Sequence, residues 1–161
     1  MTGGIITETE AYMGPADKAS HAYNNRRTKR TEIMYHAGGV CYVYLCYGMH
    51  HLFNIVTHKE DVPHAILIRA FHPVIGIDVM LKRCNRPKAT PKWTAGPALL
   101  TKALGITVCH SGLSLESDKI WLEDRGVQIE SDAIIATPRI GIDYAEEYAA
   151  HPWRFLTRIK Q

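Results

Sequence analysis

Alternation of apolar and polar residues predicts a β-strand near the start of the chain. In residues 5–12, with the sequence IITETEAY, the period of two places Glu8, Glu10 and Tyr12 on one face. Residues 40–47, with the sequence VCYVYLCY, are rich in aromatic and β-branched side chains, which favours a buried strand. The remaining predicted strands lie at residues 52–58, 64–71, 120–122, 133–137 and 153–156.

Three segments between these strands carry the signals of helices. Residues 73–84 begin with a proline, which is favoured in the first turn of a helix. Residues 96–104 are followed by Gly105, which suits the left-handed conformation that ends many helices. Residues 143–150 combine a capping aspartate with good helix formers. Together these elements predict one α+β domain over residues 1–161, with a curved antiparallel β-sheet flanked by helices.

Length and composition agree with a single globular domain. The chain has 161 residues, of which 46% are hydrophobic and 22% are charged, so a disordered tail, a collagen-like repeat and a coiled coil are excluded. No stretch approaches the roughly 20 apolar residues of a spanning helix, and no basic segment with an apolar core opens the chain. We therefore expect a soluble, intracellular protein without a membrane partner. The four cysteines form no CxxC pair, and we expect all of them to be buried thiols.

The formal net charge of +3 hides a strong segregation of charge along the chain. Residues 18–30 contain five basic residues and no acid, residues 79–115 contain six and no acid, and nine of the sixteen acids fall in residues 116–147. The basic segments are either ordinary solvated loops or a face for a phosphate backbone. In the second case, the candidates for contacts with the phosphate backbone are Arg26, Arg27, Lys82 and Arg83.

Two charged residues stand inside predicted strands, where an unpartnered charge is costly to bury. Glu10 is either an exposed edge charge or a carboxylate that faces a pocket beside the aromatic wall of Tyr12, which suits a general base. Arg69 is the only charged residue of the apolar segment HAILIRAF. It either reaches outward from an edge strand or pairs with a partner in a pocket, and the apolar residues on both sides favour the pocket.

The tyrosines and histidines are the other candidates for chemistry. Tyr42 and Tyr44 are typical of a sheet core, whereas Tyr47 lies at a turn, where an aromatic ring suits stacking on a nucleobase or wedging between bases. The histidines show neither HExxH nor HxH spacing, so no metal site is predicted. The sequence also lacks GxGxxG, Walker and GxSxG motifs, and we expect no cofactor.

These motifs together resemble the alkyladenine (3-methyladenine or methylpurine) DNA glycosylase family along nearly the whole chain. The resemblance is carried by ETEAY with Gly14-Pro15 and His21, YVY with Tyr47-Gly48-Met49 and Asn54, LIRA at 67–70, Gly96-Pro97, RIGI at 139–142, and PWRF at 152–155. Members of the family usually carry a further helix and strand before the ETEAY strand, and we expect residues 1–161 to lack them.

The resemblance implies a monofunctional DNA repair enzyme. Such an enzyme flips a damaged purine out of duplex DNA and hydrolyses its bond to deoxyribose, releasing the base without cutting the strand. Glu10 matches the general base that activates water, Arg69 helps to hold that water, and the main chain near Ile140 faces the same region. No metal or organic cofactor is implied, and we expect a monomer that acts on duplex DNA. The alternatives are a non-catalytic DNA-binding module and an inactive, truncated relative.

The resemblance also assigns residues to the base and to the gap it leaves. Tyr12, His21 and Tyr44 match the walls that sandwich the flipped base. Asn54 matches the position that borders the purine's minor-groove edge, although a buried amide commonly does no more than satisfy a backbone group. Tyr47, with Met49 beside it, matches the wedge that intercalates into the DNA.

Overall fold

A six-stranded antiparallel β-sheet forms the framework of the molecule. The computed structural model describes residues 1–90 and 93–159. The strands are β1 (Gly3–Tyr12), β2 (Cys41–Cys46), β3 (His50–Thr57), β4 (His64–Ile75), β5 (Ile135–Thr137) and β6 (Arg154–Leu156). They lie in the order β2-β3-β4-β1-β6-β5, so the two long strands β1 and β4 are central. The predicted α+β class and the single mixed domain are confirmed.

Two α-helices cover one face of this sheet. Helix α1 (Ile77–Arg83) and helix α2 (Pro97–Leu104) pack on apolar side chains of the strands, and Gly105 ends α2 in the predicted left-handed conformation. This main core includes Val43, Phe53, Ile68, Phe71, Met80, Trp93 and Leu100. Short 3₁₀ helices lie at Gly14–Ala16, Tyr23–Asn25, Glu32–Tyr35, Val108–His110, Ser131–Ala133 and Asp143–Ala150.

The opposite face of the sheet is covered by the irregular segment that follows β1. Ala22, Met34 and Tyr35 pack there against Tyr42 and Val56 of the sheet. Side chains of a strand alternate between its two faces, so Tyr42 and Tyr44 point away from the core that holds Val43. This second face is only partly filled, and it contains the candidate site.

The helix predicted over residues 73–84 begins later than expected. Strand β4 continues through Pro73 to Ile75 because β1 pairs with it as far as Gly3. The ladder is irregular between Gly3 and Gly4, and a proline, which has no N–H to donate, is tolerated at such a position. The chain then turns at Gly76, where φ is +73° and a Cβ would collide with the carbonyl oxygen of Met1.

Two shorter elements and one cysteine also differ from the prediction. Residues 120–122 form only an isolated bridge between Glu116 and Trp121, because no neighbouring strand extends the pairing. Residues 143–150 are 3₁₀ rather than α-helical, with a break at Glu146, and the side chain of their aspartate does not cap them. All four cysteines are free, but Cys109 is exposed, so the expectation that each would be buried is wrong. No helix in the described ranges is long and apolar enough to cross a membrane.

Candidate active site

A cavity of about 340 Å³ lies on the sheet face opposite α1 and α2. It gathers residues from β1 to β4, the segment between β1 and β2, and the segment before β6. Its lining includes Tyr12, His21, Met34, Tyr42, Tyr44, Cys46, Tyr47, Leu52, Asn54, Leu67, Arg69, Ile140, Ile142 and Tyr144. All the residues expected to bind the base therefore meet around one space, together with Arg69 and the expected wedge Tyr47.

Glu10 is completely buried beside this cavity, so it is not an exposed edge charge. Its Oε1 accepts a hydrogen bond of 2.8 Å from the backbone N–H of Ile140, and its Oε2 accepts one of 3.0 Å from the hydroxyl of Tyr12. Nη1 of Arg69 lies 3.3 Å from Oε2. A buried carboxylate with this set of partners is held in one orientation.

Arg69 belongs to a central strand, so the alternative of an edge position is wrong. Its Nε donates to Oε1 of Glu8 at 2.9 Å, while its Nη1 faces Glu10. Nη1 of Arg154 donates to the same Glu8 oxygen, also at 2.9 Å. Glu8 and Arg154 therefore fix the Arg69 guanidinium beside Glu10. The sequence indicated neither as a site residue, although Glu8 shares the predicted strand face with Glu10.

Aromatic rings form the walls of the cavity. Tyr42 and Tyr44 are stacked with centroids 5.6 Å apart, and the ring of His21 meets Tyr44 edge-on at 4.5 Å. Nδ1 of His21 lies 2.8 Å from the Tyr42 hydroxyl. Burial lowers the pKa of His21 to about 4, helped by the positive charges of Arg30 and Arg26, so the imidazole is neutral at pH 7.

Burial also keeps the phenols of this cluster protonated. It raises the pKa of Tyr42 to about 12 and raises the pKa of Tyr44 further. Burial first, and then the negative charge of Glu10, raises the pKa of Tyr12 well above its usual value. The Tyr12 hydroxyl is therefore a hydrogen-bond donor to Glu10 throughout the range in which proteins work.

Asn54 is buried and lines the cavity from β3. Its Nδ2 donates a hydrogen bond of 3.2 Å to the backbone carbonyl of Tyr42 on the neighbouring strand. The side chain thus satisfies a buried backbone group and also presents its remaining surface to the cavity. The geometry of Asn54 therefore agrees both with a contact to the purine's minor-groove edge and with a purely structural role.

The turn between β2 and β3 projects from the rim of the cavity. Tyr47 is 88% exposed and Met49 is 70% exposed, although both are large apolar side chains. Tyr47 has φ of +51°, a left-handed conformation that costs an ordinary residue about 1–3 kcal/mol. An exposed aromatic ring on a strained turn at a cavity mouth is typical of a residue that contacts a ligand.

One buried ion pair in the site was not found from the sequence. The fully buried side chains of Arg139 and Asp17 form two hydrogen bonds of 2.5 and 2.8 Å, and Arg139 also donates to the carbonyl of Ala11 at 2.9 Å. The guanidinium lies over the ring of Tyr12, 4.7 Å from its centroid. This pair anchors the segment that brings the N–H of Ile140 to Glu10. Asp17 is the only acidic residue between Tyr12 and Thr31, and this isolation is the one trace of the pair in the sequence.

The family model described as "Methylpurine-DNA glycosylase (MPG)" matches residues 1–161. The chain belongs to the methylpurine-DNA glycosylase family. A relative from Chlamydia felis is 52% identical over 163 residues, covering 99% of this chain and 81% of its own length. A relative from Bacillus cereus is 50% identical over 160 residues, covering 94% and 78%. Both carry the name "Putative 3-methyladenine DNA glycosylase". The resemblance inferred from the motifs is confirmed.

The four basic residues expected at the DNA backbone have different surroundings. Arg26 and Lys82 are exposed, and neither forms an ion pair within the described ranges. Arg27 pairs with Glu32 at 2.7 Å and with Asp61 at 2.8 Å. Arg83 donates to the carbonyl of Ala103 at the end of α2, at 3.0 Å. The role of all four in DNA binding stays a prediction.

A metal centre is not evident in the part of the chain that the structure describes. Within residues 1–90 and 93–159, no three histidine, cysteine, aspartate or glutamate side chains are grouped so that they could hold a metal ion.

Proposed function

We propose that this methylpurine-DNA glycosylase flips a damaged purine into the aromatic cavity and hydrolyses its N-glycosidic bond with a water molecule that Glu10 activates. The observation that carries the proposal is a fully buried carboxylate, oriented by Tyr12, Ile140 and Arg69, at the edge of a cavity with aromatic walls. A base inside a duplex has to leave the stack to reach such a site. The names of the relatives support 3-methyladenine among the substrates.

The surroundings of Glu10 leave it able to take a proton. A carboxylate has about four lone-pair positions; the N–H of Ile140 and the hydroxyl of Tyr12 fill two by hydrogen bonds, and the guanidinium of Arg69, an ion-pair partner 3.3 Å from Oε2, covers a third. We assign the remaining position to a water molecule, with Arg69 holding it from the side. The water oxygen attacks C1′ as the C1′–N bond breaks, the electron pair of that bond leaves with the purine, and Glu10 accepts the proton that the water loses. Until that proton is transferred, the negative charge of Glu10 also stabilises the oxocarbenium-like sugar.

The cavity walls suit an electron-poor purine. Alkylation makes the ring electron-poor or cationic, and such a ring stacks favourably on the faces of Tyr12 and Tyr44. If the protonated Tyr42 hydroxyl donates to Nδ1 of His21, the neutral imidazole carries its hydrogen on Nε2. His21 is then a donor for the 6-carbonyl of hypoxanthine, which adenine lacks. We include hypoxanthine among the substrates for this reason.

We also propose that the enzyme is monofunctional. A glycosylase that also cleaves the strand commonly needs an amine to form a Schiff base with the sugar. Among the described residues that line the cavity there is no lysine. The product is therefore an abasic site in an intact strand. We further propose that the enzyme acts as a monomer on cellular DNA, with backbone contacts from Arg26, Arg27, Lys82 and Arg83.

The direct test uses a duplex that carries one hypoxanthine or one 3-methyladenine. We expect free base together with a strand break that develops only after alkali treatment. A break without alkali would contradict the monofunctional assignment. Binding of the lesion duplex without any base release would favour the non-catalytic module or the inactive relative instead.

Replacing the wedge should reduce base flipping without unfolding the protein. We expect Tyr47→Ala to weaken specific binding to lesion DNA by about 1–3 kcal/mol, because one stacking contact is lost. Its melting temperature should stay near that of the wild type, since the ring is 88% exposed. Fluorescence of a 2-aminopurine or ethenoadenine reporter in the duplex measures the flipped population.

The matched control for the wedge is Trp121→Ala. Trp121 is also a partly exposed aromatic residue, at 42%, but it lies near the start of β1, outside the cavity. This variant should give the wild-type fluorescence signal. If Tyr47→Ala also gave that signal, Tyr47 would not be the wedge.

Asn54 should control the rejection of normal guanine. Guanine differs from hypoxanthine by a 2-amino group, and an amide at the purine's minor-groove edge would crowd that group. We expect Asn54→Ser to gain detectable guanine release and to keep hypoxanthine release. Loss of the hydrogen bond to the Tyr42 carbonyl should also destabilise the fold by about 1–3 kcal/mol. Release of both bases is measured in parallel with a melting curve.

Thr94→Val controls for that loss of stability. Thr94 is buried and donates to the backbone carbonyl of Phe71 at 2.6 Å, outside the cavity, so its replacement removes the same kind of hydrogen bond. It should lower the melting temperature and leave the guanine-to-hypoxanthine ratio unchanged. If Asn54→Ser also lowered the melting temperature and left this ratio unchanged, the Asn54 amide would serve only as a hydrogen-bond partner of the backbone.

A further inference from the structure

The hairpin tip at residues 47–49 separates two concave surfaces of different character. Tyr47 lines the aromatic cavity, whereas Met49 lines a second groove of about 720 Å³ on the side of α2. Its polar and charged lining includes His50, Arg83 and Lys102, and no acidic residue is among its described lining. The tip is therefore a partition between a site for a base and a basic groove.

We propose that this groove binds the phosphate backbone of the DNA strand opposite the lesion. The inference rests on the proposed function, because it uses the hairpin tip as the wedge. A wedge inside the base stack stands between the two strands of the duplex. If the flipped nucleotide enters the cavity on one side of the tip, the complementary strand is left on the other side. The basic groove lies there.

The charges of the groove suit a polyanion. Lys102 is exposed in the last turn of α2 and forms no ion pair with any described residue. Arg83 is held in place by the carbonyl of Ala103 and by the hydroxyl of Thr2, at 3.0 and 3.2 Å, so its charge is preorganised. No acid occurs in residues 79–115, the segment that supplies most of the groove's described lining. Lys102 was not among the basic residues expected at the DNA.

A strand-resolved binding measurement tests this assignment. Lesion duplexes are prepared with uncharged methylphosphonate linkages near the lesion, in either the complementary or the lesion strand, and binding of wild type and Lys102→Gln is measured by anisotropy. We expect neutral linkages in the complementary strand to weaken DNA binding by the wild type and to have little further effect on DNA binding by Lys102→Gln. The salt dependence of log K should become less steep by about 0.9 for each lost phosphate contact.

Lys119→Gln is the matched control, since Lys119 is exposed and lines a different groove near the start of β1. It should bind every duplex as the wild type does. The proposal would be overturned if the loss of affinity in Lys102→Gln depended on neutral linkages in the lesion strand. It would also be overturned if Lys102→Gln lost the same affinity for duplex and for single-stranded lesion DNA, or lost no affinity at all. These measurements need no catalysis, so absence of base release in the wild type would count against the proposed function alone.

Discussion

Replacing Glu10 by glutamine is expected to lower the rate of base release by about 100-fold or more, which is the usual size of a lost general base. The amide has nearly the shape of the carboxylate but takes no proton from water at neutral pH. Lesion binding should persist, because the aromatic walls and the wedge are unchanged. Single-turnover release from a hypoxanthine duplex measures the rate, and anisotropy measures binding.

The Glu10→Gln variant needs a control for its structural effect. The amide has one oxygen instead of two, so either the N–H of Ile140 or the hydroxyl of Tyr12 loses its acceptor. Glu8→Gln also disturbs a partner of Arg69 and lies on the same strand, but Glu8 has no contact with Ile140. We expect a much smaller loss of rate for Glu8→Gln. A Glu10→Gln rate within tenfold of the wild type would remove Glu10 from the catalytic role.

Breaking the buried pair of Asp17 and Arg139 is expected to give the largest loss of stability. Removal of one partner leaves an uncompensated buried charge, which costs about 3–5 kcal/mol. For Asp17→Asn we expect a fall in melting temperature on the order of 10 °C. Because Arg139 precedes Ile140, base release by the folded fraction should also fall, by up to about 100-fold if the N–H of Ile140 moves by 1 Å.

The two surface ion pairs that Lys18 forms with Glu146 and Glu147 are the natural comparison for the buried pair. Lys18→Met should change the melting temperature far less, because solvent and salt screen charges at the surface. The double variant Asp17→Asn/Arg139→Gln should be less destabilised than the sum of its two single variants, since the unpaired charge is gone. Simple additivity would show that the two side chains do not act as a pair.

The local pattern of apolar and polar residues predicted most strands of the sheet. The bounds of β1, β2 and β3 lie within two residues of those expected from alternation and from β-branched and aromatic content. These strands have one face on the core and one face in the cavity, and that environment produces the alternation. The same argument placed Glu10 and Tyr12 together and identified Arg69 as a charge in need of a partner.

The motifs by themselves indicated the family, the pattern of elements predicted the fold class, and the motifs named residues that meet around the candidate site. The tertiary structure alone decided the length of β4, because Pro73 stays in the strand only while β1 lies beside it. It also decided which groups orient Glu10. Asp17 and Arg139 are 122 positions apart in the chain, and Ile140 is 130 positions from Glu10. Neither pairing leaves a periodic trace in the sequence, since an ion pair or a backbone hydrogen bond between distant segments depends on where the folded chain brings them together.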